Sequence, residues 1–272
     1  MFILSSVCCR FPLMSKSTAV EPSSKFDQVL RGSALLPGVK IDRESFLRKE
    51  LQHSCTSEQI DRAVTTTPAD AGVPLEVVNK LAASAIRYET GKVTALSTVA
   101  GIPGGIAVAG TVPADLAQYY GHVLRIVQKL AYLYSWPDLF DGDGMDSSTE
   151  SMLTLFVGVM FGVSAAQAGV TKTAAMIAQQ VAKKLPQRAL TQGTIYPIVR
   201  KVAGILGAQM TKQIFAKGAA KVIPVVGAVI SGGLTLATFR PMAKRLQQHL
   251  ADLALAKPSG VPNTADTGIA PA

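Results

Sequence analysis

The residues best suited to chemistry recur along one stripe. Asp115, Gln118, His122, Arg125 and Lys129 follow one another at spacings of three and four, which places them on a single face of a helix. An acid, an imidazole and two cations are the parts from which acid–base and anion-stabilising chemistry is built. Asp115 and His122 are roughly 10 Å apart along the axis, too far for a direct dyad. Glu89, upstream, falls on the apolar stripe of its own helix and needs a partner or a route to water, because a buried unpaired acid costs several kcal/mol. Three readings follow. The stripe is a solvated face, or His122 or Arg125 pairs with Glu89 across a helical hairpin, or Glu89, Asp115, His122 and Arg125 form a hydrolase-like site.

Other chemistries find less support. Asp141, Asp143 and Asp146 with Gly142 and Gly144 resemble a calcium loop, but Met145 stands at the third ligand position and no glutamate closes the loop, so the segment reads as a turn. Cys8, Cys9 and Cys55 form no CxxC and no metal spacing. Neither a phosphate-cradling GxxxxGK[ST] loop nor a GxSxG nucleophile elbow occurs, so no cofactor and no metal is expected.

The elements that must position this stripe are helices. Asp42 caps a short helix over RESFLRKEL, and Thr56 with Gln59 makes a capping box for a second. Leu75, Val78, Ala82, Ala85, Ile86, Val93 and Leu96 recur at helical spacing, predicting a long helix from Pro74 to about Gly101. Residues 93–114 then carry no charge, interrupted by Gly101, Pro103, Gly104 and Gly105, which predicts a hairpin turn instead of a membrane-crossing helix. The next helix buries Leu116, Tyr120, Val123, Val127, Leu130 and Tyr134. Ser147 and Glu150 read as a further capping box, opening a helix that is apolar on every side. A second uncharged run, 222–239, contains Gly227, Gly232 and Gly233 and is read as a second hairpin, after which Pro241 leads into an amphipathic helix.

The fold class is therefore all-α, a multi-helix bundle with two glycine-rich hydrophobic hairpins. Residues 1–37 are expected to be a flexible lead-in, 38–256 one helical domain and 257–272 a disordered tail. The opening MFILSSVCCRFPLM lacks the basic region of a signal peptide, and Met14 begins a more ordinary polar stretch, so 1–13 read as an overextended start.

Charge is unevenly placed. Residues 1–150 hold 14 Lys+Arg against 16 Asp+Glu, whereas 151–272 hold 13 against 2. A basic half points to an anionic partner. Lys183, Lys184, Arg188, Arg200, Lys201, Lys212, Lys217, Lys221, Lys244 and Arg245 are its candidate contacts. Few aromatic residues are interleaved among them, so base stacking has little to stand on and lipid head groups fit better than nucleic acid. Mean hydropathy is +0.29, high for a chain without an unbroken spanning segment.

The segments AGIPGG, PADLAQYYGHVLRIVQKLAYLYSWPDL, GTIYPIVRKV and KVIPVVGAVISGGLTLATFRPMAKRL together resemble the EcsC family of bacterial proteins, over roughly residues 38–250. The resemblance implies an all-helical protein on the cytoplasmic side of a membrane, and the function expected with it is that of a non-enzymatic accessory to a transport or export system, with a transporter component as a protein partner. It brings no catalytic residues. A membrane-inserting effector is the other alternative.

Overall fold

A computed structural model describes residues 22–100, 114–140, 144–179, 184–220 and 224–258, with the side chains of 22–24, 96–100, 114–115, 210–220 and 224–236 left aside. Among these residues the chain forms ten α-helices, one short 3₁₀ turn and no strand. The helices are α1 (Pro22–Ala34), α2 (Arg43–Leu51), α3 (Ser57–Thr65), α4 (Leu75–Ala100), α5 (Ala114–Leu133), α6 (Ser147–Met160), α7 (Ser164–Ala178), α8 (Gln187–Thr191), α9 (Tyr196–Ala220) and α10 (Pro224–Ala251).

Local chemistry accounts for several helix ends. Asp42 accepts from the Ser45 amide at 2.8 Å, and Thr56 and Gln59 form the reciprocal capping box expected of them. At α6 the cap differs from expectation. Asp146, one residue earlier than Ser147, accepts from the Thr149 amide at 2.7 Å, because a carboxylate meets the helix's positive end better than a hydroxyl does. Glu150 is then free to turn to α1, where Arg31 holds it.

Helix α6 is the centre of the molecule. Every residue from Ser151 to Met160 is buried, and α1, α5, α7, α8, α9 and α10 all pack on it. Close approach depends on glycine at two places. A Cβ on Gly158 would stand 2.5 Å from Val202 and 2.6 Å from Ala166, and one on Gly169 would stand 2.8 Å from Leu155. Trp136 stacks edge-to-face on Phe156, its ring centre 4.9 Å away, closing one end of this core.

The lead-in reading fails from Pro22 onward. Phe26, Val29 and Leu30 in α1 are buried, and α1 packs on α5 and α9. Their spacing is helical, and burying three such side chains outweighs the Ser- and Lys-rich composition around them. Residues 1–21 and 259–272, the bulk of the expected lead-in and tail, lie outside the described residues.

Helices α4, α5 and α10 form a long three-helix layer. Asn79 on α4 accepts from Tyr134 at 2.6 Å while Glu89 meets His122 and Arg125, so α4 and α5 run antiparallel. The Asn79 carbonyl also receives Gln247, and Tyr119 packs on Phe239, so α10 runs parallel to α5. The connection holding Gly101, Pro103, Gly104 and Gly105 lies outside the described residues. The second expected turn is a correction: α10 is one helix through Gly227, Gly232, Gly233 and Pro241. Packing along α4 offsets the roughly 1 kcal/mol that each helical glycine costs relative to alanine. One consequence is topological. The C-terminal end of α4, the N-terminal ends of α5 and α10, and the end of α9 four positions before Pro224 share one pole of the molecule, and both uncharged runs lead to it.

Candidate functional site

The antiparallel pairing of α4 and α5 carries Glu89 onto the polar stripe of α5. Glu89 is fully buried. Its carboxylate meets His122 Nδ1 at 3.0 Å, Arg125 Nε at 3.2 Å and Lys129 Nζ at 2.8 Å. His122, Arg125 and Lys129 are thus drawn out of the solvated face by pairing across the helices, whereas Gln118 of the same stripe is exposed. Burial alone would push the Glu89 carboxyl up. Hydrogen bonds from His122 and Lys129 and the charges of Lys129 and Arg125 overcome it and hold the group down at about 2. Since the carboxylate carries no proton, the His122 Nδ1 facing it must be the donor.

The same residues tie a loop to the bundle. Arg125 Nη1 donates to the carbonyl of Gly38, whose φ of 74° suits glycine. Gln128, which sequence reasoning passed over, accepts from the Ile41 amide at 2.8 Å and donates to the Val39 carbonyl at 2.9 Å. The Lys129 ammonium lies 4.9 Å from the ring centre of Tyr88 and 6.0 Å from that of Phe46, which extends its hold to α2. Asp115 belongs to the same helix, a little under two turns before His122, and its side chain is outside the described set.

Chemically this arrangement is a lock. A carboxylate pulled to low proton affinity, with both oxygens occupied, is a weak base. Two grooves among the described residues are both lined by other side chains than Glu89, His122, Arg125 and Lys129.

Those grooves are open. One, of about 1210 Å³, runs between the starts of α2 and α6 and the segment before α8. Its acids are already engaged: Asp42 and Asp146 cap helices, Asp138 accepts from the Tyr132 hydroxyl, and Asp70 accepts from Thr67. Asp141 and Asp143 of the calcium-like turn lie outside the described residues, and no group of three or more metal-ligating side chains exists among the described ones. The other groove, of about 1040 Å³, is bounded by α1, α6, α8 and α9 and contains Asp27, Arg31, Glu150, Arg200 and Lys201. Asp27 and Arg31 escaped sequence reading because they sit in the supposed lead-in. The three-and-four spacing of Phe26, Val29 and Leu30 was the signal that could have found them.

The basic residues of the second half divide. Lys184, Arg188, Arg200, Lys201 and Lys244 are exposed and have no ion-pair partner among the described residues. Lys172 and Arg240 are exposed in the same way. Arg245 differs: its Nη1 donates to the Met160 carbonyl at 2.6 Å, satisfying an orphan acceptor at the end of α6. Lys212 and Lys217 ride on the last turns of α9, while Lys183 and Lys221 lie outside the described residues. No helix among the described residues is long and apolar enough to cross a membrane. No family model, curated protein or solved structure matches the chain, which leaves charge and geometry as the grounds for function.

Proposed function

We propose that this is a non-enzymatic, membrane-peripheral helical protein that docks on an anionic lipid surface, at the cytoplasmic face of a membrane. The observation that carries the reading is the shared pole. Two uncharged runs, at the end of α4 and the start of α10, arrive at the same end of the three-helix layer, and the lysine-bearing end of α9 arrives with them. The uncharged part of α10, Pro224–Phe239, is about 24 Å long at 1.5 Å per residue. One leaflet offers about 15 Å of hydrocarbon depth, so a tilted or partly inserted pole matches it while the body stays outside.

The unpaired cations supply the second element. Each well-placed Lys or Arg contributes about 1 kcal/mol on an anionic surface and loses most of it to salt. The resemblance to EcsC proteins agrees with this placement and suggests an accessory role beside a transporter. Flotation with vesicles tests the proposal: binding to phosphatidylglycerol vesicles that weakens with salt is expected, and equal binding to neutral vesicles overturns it. Val229→Trp, read with brominated lipids, tests the pole. Its fluorescence should be quenched while that of Trp136, buried in the core, is not.

A further inference from the structure

We infer that the groove bounded by α1, α6, α8 and α9 binds a small zwitterion carrying a primary ammonium and a phosphate, of the ethanolamine phosphate type. The inference stands apart from the membrane reading, because it comes from charges that the fold leaves uncompensated within one groove.

On the α1 wall, Arg31 grips Glu150 with two donors, Nε to Oε1 at 2.8 Å and Nη2 to Oε2, so these two charges neutralise each other. Asp27, one turn earlier on α1, lines the same groove and is half-buried, yet it has no hydrogen-bond or ion-pair partner among the described residues. On the α9 wall, Arg200 and Lys201 also line the groove without hydrogen-bond or ion-pair partners among the described residues. One unmatched carboxylate thus shares a groove with two unmatched cations, which are not within ion-pair distance of it. A ligand bearing both signs of charge satisfies all three: its ammonium donates to Asp27, and its phosphate accepts from Arg200 and Lys201. A phosphate is preferred to a carboxylate because two cations stand opposite a single acid.

The state of Asp27 agrees. Burial first, then the nearby Glu150 charge, raise its carboxyl to about 6 against the downward pull of Arg31. A carboxylate held in this condition gains from an arriving ammonium, and ligand binding should draw its proton off. The other groups facing it are Glu150 on α6 and Arg200, Lys201 and Tyr196 on α9, while α8 contributes Thr191, which does not titrate.

Calorimetric titration of the full chain with ethanolamine phosphate, inorganic phosphate, ethanolamine and phosphocholine tests this. Ethanolamine phosphate should bind at least about tenfold tighter than any of the other three, since phosphocholine presents no N–H to Asp27. Asp27→Asn should reduce ethanolamine phosphate to the level of inorganic phosphate and leave phosphate itself unchanged. Arg200→Ala with Lys201→Ala should weaken both. Affinity should fall as pH drops from neutral to about 5, where Asp27 takes up its proton. Vesicles containing phosphatidylethanolamine identify the source: Asp27-dependent binding to them without binding of the soluble head group assigns a lipid. The inference is overturned if neither form binds, if Asp27→Asn changes nothing, or if phosphocholine binds equally well. Binding to phosphatidylglycerol vesicles should not depend on Asp27, so the two readings can fail separately.

Discussion

Two groups of cations in this chain are treated in opposite ways. Around α4 and α5, Arg125 and Lys129 are drawn inward onto one buried carboxylate, and Lys129 is itself almost fully buried. From α7 to α10, Lys172, Lys184, Arg188, Arg200, Lys201, Arg240 and Lys244 stay exposed with no ion-pair partner among the described residues. Charge in the first region is spent on internal specificity, because a desolvated ion pair is stable only when each member has its partner. In the second it is left for an external partner. The same residue types therefore serve the fold in one place and recognition in the other, and only the supply of acids nearby separates the cases.

The sharpest way to break this contrast is Glu89→Gln. It strands the buried Lys129 and the partly buried Arg125 and should destabilise the protein by about 3–5 kcal/mol in chemical denaturation. A loss below about 1 kcal/mol would place the cluster with the solvated charges instead. Acid should act in the same direction. The folded-state affinity of Glu89 lies below its ordinary value of 4.5, so its contribution is complete above about pH 4.5 and is lost as pH falls towards about 2. About 3 kcal/mol should disappear across that window in the native protein and not in the glutamine variant.

The unpaired cations should behave in the reverse manner. Replacing Lys184, Arg188, Arg200 and Lys201 together by alanine should change stability by no more than about 0.5 kcal/mol per site. The same variant should lower affinity for anionic vesicles by about 4 kcal/mol, at low salt. Arg245 lies between the two groups, basic-half in sequence and structural in role. Arg245→Ala should cost about 1–2 kcal/mol of stability, because it uncovers the Met160 carbonyl at the end of α6. Asp27 gives the smallest effect and the opposite sign. Its folded-state affinity is raised, so the stability it lends is present below about pH 4 and is lost as pH rises through about 6. Asp27→Asn should flatten the stability profile between those values.

Much of this contrast can be read from particular residues. That Glu89 demands a partner follows from its place on the stripe of Val78, Ala82, Ala85, Ile86 and Val93, all of which are buried. That His122, Arg125 and Lys129 share a face follows from their spacing. Which helix would meet them does not, since the spacing is equally compatible with water. At α10, Gly232 and Gly233 have the local preference of a turn, and nothing within the segment reveals that α4 will support it as helix. At α1, polar composition concealed three residues whose periodicity was correct.

From the sequence alone came the all-helical class, the long helix over 75–100, the caps at Asp42 and Thr56 and the excess of positive charge after residue 150. These depend on contacts within a few residues, where the chain has few alternatives. The tertiary structure decided that Glu89 is shared by three cations, that Asp27 faces Arg200 and Lys201 across a groove, and that both uncharged runs end at one pole. Each of these joins segments far apart along the chain, and the packing of whole helices, which no local pattern encodes, selects which segments meet.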